Sequence, residues 1–204
     1  GASTKNVSAS GTVYNTPSSA AGSDISQCDN ASFTLAATNP SFGTGAWSVT
    51  SGSASITSSS SYNSGVTGVT ADNSATLRWT VSNGTCTAAT DDVVLSNNSN
   101  PTASASTSTG TVCEGTAISL TGGASGGSGG GYSYSWSGPS SYTSSSQSPT
   151  ISSSATTGMA GSYLLTVTDG NSCSSSSSST SITVDASPTV SSAGSDISPV
   201  SYTH

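Results

Sequence analysis

The chain has 204 residues and a formal net charge of −7, with 5% of its residues charged against a usual value of about 25%. Its only cations are Lys5 and Arg78, too few to neutralise a run of phosphates, which excludes a nucleic-acid partner. No apolar stretch approaches the ~20 residues a membrane span needs, and no charged-then-apolar leader opens the chain.

Serine makes up roughly a quarter of the residues, a bias that alone would read as a disordered linker. Against that, β-branched and aromatic residues recur in short alternating runs able to bury one face of a sheet. In chain order, the hexapeptide AGSDIS comes first at Ala21 to Ser26 and returns at Ala193 to Ser198. The 172 residues between Asp24 and Asp196 accommodate two modules of about 86 residues each. After Cys28 the strand signals are SFTLAAT around Phe33, GAWSV around Trp47, SASIT around Ile56 and VTGVT around Val66 and Val69. The clearest is ATLRWTVSN, where Leu77, Trp79 and Val81 alternate with Arg78 and Thr80. The turn SNGTC follows, with Asn83-Gly84 suited to a tight hairpin and ending at Cys86; DDVVLSN closes the module.

The second module repeats this order. AISLTGG follows Cys113, YSWSG carries Trp136, SPTISS comes next, and GSYLLTVTD places Tyr163, Leu165 and Val167 each 86 residues beyond their counterparts. The turn DGNSC ends at Cys173 and TSITVD closes. The glycine-rich GGASGGSGGG reads as a flexible hairpin loop; no lysine follows it to make a phosphate cradle. No segment of ten or more residues carries a helical period. The expectation is an all-β chain of two tandem immunoglobulin-like β-sandwich modules: an end strand or linker over 1–19, module 1 over 20–100, module 2 over 101–188, and the start of a next module or inter-subunit strand over 189–204. Pro-containing linkers are expected near residues 15–20, 98–104 and 185–192. Trp47, Trp79, Trp136 and Tyr163 are expected in the cores.

Cys28 and Cys86 lie 58 residues apart, and Cys113 and Cys173 lie 60 apart. Four cysteines permit three pairings, and repeat symmetry selects Cys28 with Cys86 and Cys113 with Cys173, one disulfide per module. The alternatives are free thiols or a metal site, the latter lacking both CxxC spacing and histidines. Bonded cysteines imply an exported, extracellular or cell-surface location.

Little catalytic chemistry is present. The sole histidine is His204, so a Ser-His-Asp arrangement would need the last residue. Asp91-Asp92 reads as a solvated strand edge and not as a glycosidase pair. Asp24 and Asp196, at module entrances, are weak calcium candidates without a DxDxDG loop. No cofactor is implied, and an enzyme is not expected.

AGSDISQC, GTGAWSVTSGSASIT, LRWTVSNGTC and DDVVL, with TVCEGTAISLTG, YSWSGPSSYTS, AGSYLLTVTDGNSC and SITVDASPTV, resemble the PKD-like or immunoglobulin-like repeats of very large Bacteroidetes cell-surface proteins. The resemblance covers about residues 20 to 198. It implies an exported adhesin or filament of the type IX secreted, gliding-adhesin kind. It departs where Pro199 and Val200 replace Gln27 and Cys28 after the second AGSDIS.

The functional expectation is a non-enzymatic spacer in an extracellular filament or long adhesin. Its partners would be neighbouring repeats or identical subunits, joined by strand pairing through residues 1–15 and 193–204. The alternative is a module binding carbohydrate or a host surface, with Tyr62 and Tyr142 as surface platforms for glycans.

Overall fold

A computed structural model describes residues 11–190; the second AGSDIS copy with Asp196, and His204, lie outside them. The chain is all-β and forms two compact units.

The first unit runs to Thr102 and also takes in residues 125–132 and 168–175. Its strands are β1 (Ile25–Cys28), β2 (Phe33–Thr34), β3 (Thr44–Ser51), β4 (Ser55–Ile56), β5 (Gly65–Thr67), β6 (Asn73–Ser82) and β7 (Ala89–Asn98). One sheet has the order β1-β7-β6-β3, the other β2-β5-β4. The alternation expected in ATLRWTVSN is the reason β6 sits centrally: Leu77, Trp79 and Val81 are buried while Arg78 turns outward. They meet Phe33, Leu35, Trp47, Val66, Val93 and Leu95 in one core. Trp47 and Trp79 face each other across β3 and β6, with ring centroids 5.0 Å apart, a spacing at which aromatic pairs attract.

β1 runs parallel to β7, with Ile25 opposite Leu95 and Cys28 opposite Asn98. Cys28 therefore lies where β7 ends, whereas Cys86 lies in the β6–β7 hairpin where β7 begins. Nine residues of strand at about 3.3 Å each put those two levels some 30 Å apart, far beyond the ~7 Å limit between bonded Cα atoms. The expected Cys28–Cys86 bond is thus replaced: Cys28 bonds Cys173, with Cα atoms 5.6 Å apart, and Cys86 is a free thiol.

Among the described residues the second unit comprises 103–124, 133–167 and 176–190. Its strands are β8 (Pro101–Thr107), β9 (Thr111–Cys113), β10 (Ile118–Gly126), β11 (Ser133–Gly138), β12 (Tyr142–Ser144), β13 (Thr150–Ser152), β14 (Gly161–Thr168) and β15 (Ser178–Asp185), several of which extend past the unit's limits at one end. The sheets have orders β13-β10-β8 and β12-β11-β14-β15-β9. Ile118, Leu120, Trp136, Tyr163, Leu165, Val167, Ile182 and Val184 fill the core between them. All four aromatic residues expected in cores are buried. The geometry of β9 repeats that of β1: it runs parallel to β15 and sets Cys113 opposite Asp185, at the end of that strand. Cys173 lies before the strand's start, so the expected Cys113–Cys173 bond fails for the same reason, and Cys113 is free and exposed.

One other expectation changes. β8 starts at Pro101 inside the stretch read as a linker, leaving only Ser99 and Asn100 between β7 and β8. Tyr14, in the end segment, packs against Gly84, whose hydrogen leaves room for the ring.

Candidate functional site

A polar constellation lies around the Cys28–Cys173 bond, within the first unit. β1 delivers Cys28, and the chain then turns through Asp29, held at φ 44°. The Asp29 N–H donates to Asn98 O at 2.8 Å, and Asp29 Oδ2 accepts the Asn100 N–H at 3.1 Å. Asn97, buried beside it, donates from Nδ2 to Val69 O at 2.9 Å and accepts the Asn30 N–H at 3.0 Å. Asp72, another positive-φ residue at 59°, accepts the Ser99 N–H and hydroxyl. Those two bonds, hydroxyl first, hold its carboxyl below the ordinary range.

The segment 168–175 is organised by Asp169, which is buried. Its Oδ1 accepts the N–H groups of Asn171 and Cys173, both at 3.0 Å, and its Oδ2 accepts that of Gly129 at 3.1 Å. The Asp169 N–H in turn donates to Cys173 O at 2.9 Å, closing the loop. Burial pushes the Asp169 carboxyl up, but the backbone N–H groups of Cys173, Gly129, Asn171 and Ser128 outweigh it, and the net shift is downward. Gly129 is needed because any side chain there would run into the backbone of Gly170 and Asn171. The glycine-rich loop read as flexible is therefore pinned in part: its residues 125–132 belong to the first unit and donate to Asp169.

Sequence reasoning missed Asp169, although its position just after a period-2 strand and four residues before a cysteine was a readable signal. It also missed that Cys28 and Cys113 are each followed by an acid, Asp29 and Glu114. The calcium candidate Asp24 is engaged elsewhere: its Oδ1 accepts the Val94 N–H at 2.8 Å. No group of three or more His, Cys, Asp or Glu side chains is placed to hold a metal ion among the described residues. Asp91 and Asp92 have separate partners. Asp91 accepts the Ala21 N–H at 2.7 Å, while Asp92 makes a two-pronged ion pair with Arg78 across β6 and β7. Of the two tyrosines named for glycans, Tyr62 is 40% exposed, whereas Tyr142 is packed edge-on against Tyr163 at 5.7 Å. Among the described residues no helix is long and apolar enough to cross a membrane.

No family model and no curated protein matches this chain. Solved structures do. An I-band fragment, I67–I69, of titin is similar with a TM-score of 0.51 at 14% identity, over 83% of this chain and 66% of the titin fragment. The chain thus spans just under two thirds of that fragment's length. Fibronectin(III)-like modules of Clostridium thermocellum CbhA give 0.45 at 12% identity, over 80% of this chain and 90% of theirs. An amphioxus IgVJ-C2 molecule gives 0.43 at 14% identity, over 78% and 99%. At these identities the titin likeness carries the fold alone. The fold is immunoglobulin-like. Its two sandwiches fill the space beneath the tryptophans of β3 and β11 with other side chains, and the disulfide ties β1 to the β14–β15 hairpin.

Proposed function

We propose that the chain is a non-enzymatic spacer segment of an extracellular filament or long cell-surface adhesin, in which immunoglobulin-like repeats are coupled in series. The observation that carries this reading is the Cys28–Cys173 bond. A cysteine from the first repeat's opening strand is joined to the second repeat's hairpin, inside a unit that already absorbs two loops from the second repeat. Between Cys28 and Cys173, tension along the chain would be carried by a covalent cross-link spanning 145 residues, bypassing β2 to β14. A disulfide fits an oxidising, extracellular setting. The likeness of the sequence motifs to Bacteroidetes surface repeats supports export to the cell surface, and the proposal extends to a type IX route. Vitrified images of the native material test it: threads with a regular axial repeat are expected, and isolated compact globules would count against it.

A further inference from the structure

Two thiols are free, Cys86 and Cys113, and each occupies a position whose repeat-equivalent is already bonded. Cys113 is the counterpart of Cys28. Both end a strand that runs parallel to the last strand of their repeat, Cys28 opposite Asn98 and Cys113 opposite Asp185. In both, the next residue donates its N–H to the carbonyl of that opposite residue: Asp29 to Asn98 O at 2.8 Å, Glu114 to Asp185 O at 2.9 Å. In both, that same acid accepts the N–H two residues further on: Asn100 to Asp29 Oδ2 and Ser187 to Glu114 Oε2, each at 3.1 Å. The exits match as well, Asn100-Pro101-Thr102 against Ser187-Pro188-Thr189. The difference lies in covering. Pro101 is buried and touched by the loop at Gly127, while Pro188 is exposed.

Cys86 is correspondingly the counterpart of Cys173, each in the hairpin between the last two strands of its repeat. That hairpin rests on residues 14 and 15: Asn83 Nδ2 donates to Asn15 O at 2.8 Å, and Cys86 Sγ lies 3.8 Å from Tyr14 O. Aligning Pro17 with Pro101 makes Tyr14 the equivalent of Asn98, the residue opposite the bonded Cys28. Pro17, like Pro101, is buried. Cys86 thus stands beside the place that the strand cysteine of a preceding repeat would take.

We infer that Cys113 and Cys86 are the two halves of a disulfide between successive copies, the strand cysteine of one repeat bonding the hairpin cysteine of the next. The partner is a second copy of this chain, arriving head to tail with its β6–β7 hairpin over Cys113, Glu114 and Pro188. This inference rests on the series-coupled reading above. The bond forms when the two thiols give up two protons and two electrons to a small-molecule disulfide, which leaves as two thiols.

The test is to oxidise the full chain in a glutathione redox buffer at a concentration on the order of 1 mM, comparable to that imposed by a short linker. Products are read by non-reducing electrophoresis and by mass spectrometry of cross-linked peptides. A ladder of multimers that collapses on reduction, with Cys86–Cys113 as its cross-link, is expected. Cys86→Ser and Cys113→Ser should each abolish the ladder, and mixing the two variants should restore dimers only. These residues sit at the surface or partly so, and circular dichroism checks that both variants fold. Monomers with both thiols free, or Cys86–Cys86 and Cys113–Cys113 links, would overturn the inference. Light scattering separates the two readings: head-to-tail association with free thiols leaves the series-coupled reading standing and removes the bond, while a monomer at every concentration removes both.

Discussion

The hairpins Ser82–Cys86 and Asp169–Cys173 follow equivalent strands, carry equivalent turn dipeptides and end in equivalent cysteines, yet one thiol is free and exposed in part while the other is fully buried in a disulfide. What differs is the segment each hairpin meets. The second meets the end of β1, which supplies Cys28, and the loop at Gly129, which donates to Asp169. The first lies against residues 14 and 15, which supply a carbonyl and a ring but no thiol. A cysteine in this hairpin thus serves as the far end of a bond that starts in the preceding repeat.

Converting the bonded hairpin into the free one is the largest perturbation. Cys28→Ser with Cys173→Ser should lower the stability of the first unit by about 5 kcal/mol, the chain-entropy value for a loop of this length, read from denaturant unfolding. An unchanged midpoint would mean that the bond constrains nothing. Next, Trp79→Ala removes a ring that fills the first core against Trp47, at about 4 kcal/mol; thermal unfolding should show it as a loss confined to the first unit.

Asp169→Asn should then make the second hairpin resemble Asn83 in the first. The folded-state carboxyl titrates below its unfolded value, so its contribution is present above about pH 4 and is lost as pH falls through the lower, folded value. The wild-type hairpin should accordingly loosen in acid, with faster amide exchange at Gly129, Asn171 and Cys173. The variant should exchange faster at neutral pH and lose that acid dependence. The smallest effect is expected of Tyr163→Phe. Its hydroxyl donates to Met159 O at 2.8 Å, a lock that Leu77, the first-repeat equivalent, cannot form. Its loss should cost about 1 kcal/mol, and no change in melting temperature would show the lock to be idle.

The cores were readable in the sequence because period-2 alternation in ATLRWTVSN and GSYLLTVTD fixes which side chains turn inward, and Trp79 and Tyr163 obey it. The disulfide was not, because matched spans of 58 and 60 residues are equally compatible with bonds within repeats and between them. What decides is the direction of β1 relative to β7. A short strand such as ISQC carries no signal for parallel pairing, yet that pairing carries Cys28 to the opposite end of the sheet from Cys86. Pro101 misled for a related reason: proline is tolerated as the first residue of a strand, so a presumed linker was the start of β8. Asp169 was overlooked because one acid in a polar turn looks solvated until the loop at Gly129 closes over it.

The most direct test is to pull the chain from its two ends and compare the extension released before and after reductant. A bond between Cys28 and Cys173 hides 145 residues, so reduction should release a single increment of about 500 Å of contour length. Two increments of about 200 Å each, the signature of one bond inside each repeat, would contradict the account.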